Sequence, residues 1–391
     1  MSCTRLLISF AVCAALTTFV SAQQPNSLRP ARTAPTEAKP QGTPVEISPA
    51  KAIARQMADA YALSKTAKTV DEYSSIIENC ERVLAEQTSE ETIKYAKQLA
   101  SWGYNRRGEA FAQQATELIE KGEERKANDL DALALEDFQQ AITLDSTKWK
   151  AYHNRGVSLG LHGKVEEALA DFDQALKLKP DHVNGWFNRA EIKSQLGRYA
   201  EAISDYSQVL KLKPDDHGSL VGRAAARRHV GKLDDALKDI SHALQIQADY
   251  APAYYERAEI EMGLGQWQSA AEDYRTAART DNRMGRAFRG VAWLMATCPE
   301  LKFRNSKLAL EAAEKAIDLD GDDDYRTLDV YAAAQANMGQ FEQAQATLQK
   351  AIQLAPQEAQ AALQARLRLY ANKQAYREPV RQAAAPANLP R

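Results

Sequence analysis

An all-α array of helix pairs is predicted for this chain by three observations: several residue types recur every 34 positions, a glycine divides each recurring unit, and the clearest units close on proline. Gly163, Gly197, Gly231 and Gly265 stand 34 apart, as do Arg155, Arg189, Arg223 and Arg257, and Ala168, Ala202, Ala236 and Ala270. One interval shared by unrelated residue types marks a structural unit copied in tandem. Before each glycine runs a helical segment such as WFNRAEIKSQL, and after it one such as RYAEAISDYSQVLKLKP, with Pro180 and Pro214 closing the two clearest copies. Glycine ends the first helix and permits a tight turn, while proline stops the second. Each unit therefore reads helix, turn, helix.

Taken in order, residues 1–22 carry one positive charge (Arg5), an apolar run over 6–20 and Val20-Ser21-Ala22 before Gln23. That is the pattern of a secretory signal cut after Ala22; retention as an N-terminal anchor is the alternative, disfavoured by an apolar run short for a membrane span. The residues before Cys13 form a poor lipoprotein box, so no lipid anchor is expected. Residues 23–47 place prolines at 25, 30, 35, 40 and 44 without a periodic apolar face and are expected to form a disordered linker.

Helical spacing begins at Ser48-Pro49, a cap followed by proline in the first turn. The array is assigned to 48–371, with about eight helix pairs, clearest at 149–284 and 325–358, and a terminal helix near 358–371. Residues 50–87 fit as a degenerate first pair, and 285–324 fit loosely. Upstream, SWGYNRRGEAF aligns with KAYHNRGVSL and ALEDFQQAITLD with ALADFDQALKLK; about fourteen extra residues between them lengthen the helices or their turn. The tail 372–391, with Pro379, Pro386 and Pro390, is expected to be disordered.

Tyr152, Gly156, Leu159, Ala168, Phe172, Ala175 and Pro180, and then Trp186, Ala190, Ala202, Tyr206 and Pro214, carry a resemblance to the tetratricopeptide repeat family. Later copies drift, since Ala248 and Asn282 stand at the place of the closing proline. The resemblance implies a right-handed superhelical solenoid whose first helices line a concave, protein-binding groove. The segments AWLMATCPELKFRN, YRTLDVYAAAQANMGQFEQA and RLRLYANKQAYRE are also similar to repeat proteins of planctomycete-type bacteria, which adds lineage and no activity.

Composition narrows the function. With 50 basic and 52 acidic residues the net charge is -2, which gives no long-range field for nucleic acid or an anionic membrane. Once the signal is removed, only Cys80 and Cys298 remain, each in a helical, alanine-rich context that favours a buried unpaired thiol over one disulfide. The histidines at 153, 162, 182, 217, 229 and 242 have no paired-ligand spacing, so neither a metal site nor another cofactor is predicted. The acids of DLDGDDDYRTLD resemble the start of a calcium loop, but Asp323 takes the glycine place and Asp329 that of the closing glutamate; a solvated turn is the preferred reading.

By the same resemblance the groove is lined by His153, Val157, Asn184, Phe187, Asn188, Glu191, Arg228, Tyr255 and Glu259. Asn188 matches one place of a carboxylate-gripping clamp, but His153 and Val157 stand where its other groups would be, so the clamp is not carried over. Phe187 and Tyr255 are the best contact candidates, with packing between repeats as the alternative role. On a helical wheel Arg155 lies about 40° from Leu159, on the flank of the packed side, and Asp171 lies about 40° from Ala175. Arg155, Arg189, Arg223 and Arg257 are therefore expected to form a structural ladder with Asp137, Asp171, Asp205, Asp239 and Asp273, paired between adjacent repeats, 18 residues apart.

No nucleophile, acid pair or metal cluster converges. The expectation is an exported, periplasmic or secreted, non-catalytic scaffold whose partner is a protein or peptide. A module for envelope glycans or polymers is the alternative, and an accessory subunit of an envelope enzyme complex the third reading.

Overall fold

The computed structural model describes residues 48–379; the signal 1–22, the linker 23–47 and the end of the tail, 380–391, lie outside the described residues. The fold is all-helical. The first helices in chain order are α1 (Pro49–Ser64), α2 (Val70–Ala85), α3 (Glu90–Glu120), α4 (Glu124–Leu144), α5 (Trp149–Leu161), α6 (Val165–Leu178), α7 (Val183–Gln195) and α8 (Tyr199–Leu212). They are followed by α9 (His217–His229), α10 (Leu233–Ile246), α11 (Ala251–Leu264), α12 (Trp267–Thr280), α13 (Gly285–Thr297), α14 (Ser306–Asp320), α15 (Tyr325–Asn337), α16 (Phe341–Leu354) and α17 (Gln357–Ala371). The chain divides into two compact units, one ending at Ile192 and one beginning at Lys193, so that α7 holds the division.

Within the first unit α1 packs on α2, α3 on α4 and α5 on α6; within the second α9 packs on α10, α11 on α12, α13 on α14 and α15 on α16, and α17 closes on α16. The hairpin turns carry the glycines at 122, 163, 197, 231, 265 and 339, all with φ between 72° and 81°. This left-handed conformation costs an L-residue roughly 1–2 kcal/mol, which is why glycine marks these six turns, while the α1–α2 and α13–α14 turns have none. Helix starts are secured less uniformly. Thr69 and Glu72 form a reciprocal capping box, whereas Ser48 occupies the cap of α1 without a side-chain bond and leaves the entry to Pro49.

The second helices α4, α6 and α12 bury a small–aromatic–small stripe at i, i+4 and i+7: Ala134, Phe138 and Ala141; Ala168, Phe172 and Ala175; Ala270, Tyr274 and Ala277; α10 and α16 keep the small residues but centre the stripe on Ile240 and Leu348. A glycine on a first helix receives the aromatic. A Cβ at Gly108 would stand 2.7 Å from the Phe138 ring and one at Gly290 2.3 Å from the Tyr274 ring. Each buried aromatic contributes roughly 1.5–3 kcal/mol, and the missing Cβ lets the helices close around it.

The extra residues upstream fall symmetrically. Arg107 lies 13 residues before the end of α3 and Asp137 13 after the start of α4, against six and six for Arg155 on α5 and Asp171 on α6. Each arm is thus longer by about two helical turns, which returns the same faces to register. Cys80 and Cys298 are buried free thiols, and burial pushes the Cys80 thiol up to about 12. The tail departs from the sequence expectation: residues 374–379 are ordered and return along the second unit, the Glu378 amide donating to the Thr297 carbonyl at 2.9 Å. Two prolines, Pro386 and Pro390, lie beyond this segment, and its hydrogen-bonding residues precede Pro379.

Candidate functional site

The recurring arginines act within the framework, but not with the expected partners. Arg155 donates from Nε and Nη2 to the two carboxylate oxygens of Asp171 at 2.7 and 2.6 Å, and Arg223 to Asp239 at 2.9 and 2.8 Å. Arg257 binds Asp273 in the same way at 2.5 and 2.8 Å. These pairs are 16 apart and lie within one repeat, which corrects the expected pairing between repeats. The reason is the hairpin. Arg155 and Asp171 are equidistant from Gly163, as are Arg223 and Asp239 from Gly231 and Arg257 and Asp273 from Gly265, so antiparallel helices bring each pair level.

Arg107 and Asp137 flank Gly122 equally and pair at 2.8 and 2.7 Å, making Arg107 a ladder member that the insertion hid from the sequence reading. The remaining guanidinium nitrogen reaches the second helix of the preceding repeat. Arg107 Nη1 bonds Ser74 Oγ at 3.0 Å, Arg155 Nη1 bonds Gln139, Arg189 Nη1 bonds Asp173, and Arg223 Nη1 bonds Ser207 Oγ at 3.1 Å. One planar fork therefore fixes its own hairpin and ties it to its predecessor. Asp205 in addition accepts from Lys193 Nζ at 2.8 Å. Arg289, 16 rather than 18 residues after Asp273, bonds Asp324 and Thr327 Oγ1, both at 3.1 Å.

Among the predicted groove residues, the second unit brings three together. Arg228 of α9 donates to Glu256 of α11 at 3.2 and 3.3 Å and stands 3.8 Å from Glu259. Tyr274 donates its hydroxyl to Glu259 at 2.7 Å, and its ring lies 6.0 Å from that of Tyr255. Arg286, exposed at the start of α13, holds its guanidinium 5.0 Å above the Tyr255 ring. Burial raises the carboxyl of Glu256, and the nearby Arg228 and Arg286 pull it back toward ionisation. Burial also raises the Tyr255 hydroxyl. The arrangement is a neutralised polar network beneath an exposed cation on an aromatic face. Glu256 is engaged by Arg228 and Glu259 by the Tyr274 hydroxyl.

The first unit distributes its candidates differently. His153 and Val157, expected at the surface, are 7% and 3% exposed, and Asn188 is fully buried; close packing turns all three inward, where they offer no contact area. His153 packs edge-on to His182 at 4.4 Å and against Phe172 at 5.6 Å, and burial drives its pKa well down. Asn184, Phe187 and Glu191 are half-buried on α7. The polar link between first helices here is one the sequence reading missed: Asn154 of α5 donates to Asn105 at 3.1 Å and to Glu109 at 2.9 Å on α3, with Arg106 completing Glu109 at 2.6 Å. The adjacent asparagines of the aligned YNRRG and HNRG segments were the available signal.

The acidic stretch after α14 binds its own neighbours. Lys350 pairs with Asp322, Arg289 and Arg326 pair with Asp324, and Arg366 grips Asp329 at 2.8 and 2.6 Å. Among the described residues no cluster of three or more His, Cys, Asp or Glu side chains is arranged to hold a metal ion, and no helix is long and apolar enough to cross a membrane.

A tetratricopeptide repeat family model matches residues 153–217 and 188–252, and a second model of that repeat matches residues 325–358. No curated protein sequence matches the chain. A solved tetratricopeptide repeat protein from Parabacteroides merdae is similar with a TM-score of 0.52 at 18% identity, over 68% of this chain and 99% of that one. The APC/C hetero-tetramer Cut9-Hcn1 gives a TM-score of 0.53 at 12% identity, over 83% of this chain and 56% of that one. At these identities the likeness is one of fold.

Proposed function

We propose, for this chain of tetratricopeptide repeats, a non-catalytic scaffold that is exported and binds a protein or peptide along the surface of its first helices. The observation that carries the reading is the second unit's cluster, in which exposed Arg286 stands on the Tyr255 ring beside Arg228, Glu256 and Glu259. Arginine and tyrosine are the side chains that anchor protein interfaces, and charges of both signs at one place suit a polypeptide better than a uniformly charged polymer. Export rests on residues 1–22, with a cut after Ala22 that releases the array into the periplasm or medium on the 23–47 linker. We read the C-terminal segments as resembling planctomycete-type repeat proteins, which bears on lineage and names no partner.

Affinity capture from an envelope extract with the full chain as bait tests the reading. Proteins retained in defined stoichiometry and lost with Arg286→Glu are expected. Retention abolished by digesting envelope polymers would replace the reading with the glycan-binding one, and an enzyme among the retained proteins would make the scaffold its accessory subunit. A mature N-terminus other than Gln23 would overturn the assigned cleavage.

A further inference from the structure

Beyond α17 the chain turns back sharply at Lys373, a non-glycine residue with φ of 55°, and runs over the first helices α13 and α15. A left-handed lysine is unfavourable by roughly 1–2 kcal/mol; the Gln374 amide, donating to the Leu369 carbonyl at 2.9 Å, closes the turn locally, and the residues beyond it are held one at a time. The Tyr376 ring lies 5.3 Å from the Arg366 guanidinium, which also lies 5.4 Å from the ring of Trp293 and is fixed by its two bonds to Asp329. Arg377 donates from Nη1 to the Ala296 carbonyl and from Nη2 to Asn337 Oδ1, both at 2.9 Å. Glu378 accepts from Trp293 Nε1 at 2.9 Å through its carboxylate, while its amide donates to the Thr297 carbonyl at 2.9 Å.

Ala296 and Thr297 end α13, and their carbonyls are taken by Arg377 Nη1 and the Glu378 amide, while Asn337 ends α15 and offers its side-chain oxygen, so Arg377 sits at the negative ends of two helix dipoles. Three consecutive side chains of unlike chemistry, aromatic, basic and acidic, each meet a complementary group, and the backbone joins in. That is how an extended peptide is held by a receptor surface. A plain end-cap for α17 needs only apolar cover.

We infer that α13, α15 and α17 form a peptide-binding surface occupied in this state by the chain's own residues 374–379, and that a partner displaces this strap with an extended aromatic–basic–acidic segment. The inference rests on the scaffold reading and names the chemistry of its partner. Tethering gives the strap an effective concentration of order millimolar, so the surface stays covered until a better-matched or multivalent segment arrives.

The test uses the full chain and a fluorescent peptide of residues 372–380. Anisotropy is expected to show the peptide binding the Arg377→Ala/Glu378→Ala chain at least tenfold more tightly than the unaltered chain, and a peptide carrying the same two substitutions binding neither. Equal weak binding to both chains, with helical circular dichroism intact, overturns the inference. Hydrogen exchange on the unaltered chain gives a second readout. Excess peptide is expected to accelerate exchange of the Glu378 amide, and unchanged protection counts against displacement. Loss of these effects with partner capture at the Arg286 surface preserved would refute the strap alone; the reverse would refute the scaffold partner assigned to that surface.

Discussion

Arg155 and Asp171 stand eight residues before and after Gly163 and meet through two parallel hydrogen bonds at 2.7 and 2.6 Å. With side chains 20% and 7% exposed, the pair is largely withdrawn from water, and removing one partner leaves the other without a counter-charge. Asp171→Ala is expected to cost about 2–3 kcal/mol, below the range for fully buried pairs because the arginine keeps some solvent. A urea-unfolding cycle should give Arg155 and Asp171 a coupling of about 1–3 kcal/mol and Arg155 with Asp137 close to none. The opposite ordering would restore pairing between repeats.

Two glycines in the MGLG stretch should respond with opposite signs. Gly263 lies in the last turn of α11, and a Cβ there meets nothing within 4 Å, so Gly263→Ala should stabilise by about 0.5–1 kcal/mol through helix propensity. Gly265 has φ of 73°, and Gly265→Ala should cost about 1 kcal/mol or more. Gly290→Ala should exceed both, at about 1–3 kcal/mol, since its Cβ would enter the Tyr274 ring. Thermal midpoints of the three variants decide it, and a destabilising Gly263→Ala would contradict the open space assigned to that site.

The same glycines show why the fold was legible and its site only partly so. Period, turn glycine and aromatic stripe are local patterns, and they located the helix pairs, loosely at α13 and α14 and clearly again at α15 and α16. The ladder's residues were legible too, but its pairing depends on distance from the turn. Equal spacing about Gly122 identifies Arg107 and Asp137 even across the inserted residues, whereas a fixed interval does not. Burial depends on neighbours that a single wheel omits. His153 and Val157 of α5 are covered by their neighbours, while Arg228, Tyr255 and Glu259 cohere because Glu256 on the same helix as Tyr255 and Tyr274 on the next complete them.

Glu261 carries the wrong charge for its place. Four residues after the ladder arginine the two preceding repeats have Lys193, which pairs with Asp205, and Arg227, which pairs with Asp239, whereas Glu261 faces Asp273 as an acid. Burial first, and then Asp273, push its carboxyl up to about 7. A carboxyl raised on folding contributes stability below its unfolded value of 4.5, and that contribution is lost as pH rises through 7. Glu261→Gln should therefore flatten the fall in thermal midpoint between pH 5 and 8. Glu261→Arg, reproducing Arg227, should gain about 1 kcal/mol at pH 8, with solvent screening keeping the figure small. A midpoint at pH 8 no higher in either variant would remove the charge conflict from the account.

At the acid end, His153 and His182 are the groups whose burial has to be overcome. Burial, then Lys150, bring the His182 pKa down to about 4, with Asp181 opposing and Lys179 assisting; burial and then His182 lower that of His153. Their rings meet edge-on at 4.4 Å, and Trp149 lies 4.6 Å from His182, so a His153 imidazolium has no room for a hydration shell and one on His182 only part of it. In the unfolded chain both histidines protonate near 6.5. The stability associated with keeping them neutral is therefore complete above that pH and is lost as pH falls from 6.5 toward 4. The His182 share is about 2 kcal/mol after allowance for its partial exposure. His182→Gln, which stays neutral at every pH, should be less stable than the unaltered chain at pH 7.5 through lost ring packing, yet should lose less between pH 7.5 and 5. Urea midpoints at the two pH values measure the difference, and parallel losses in both proteins would show that the acid sensitivity arises elsewhere.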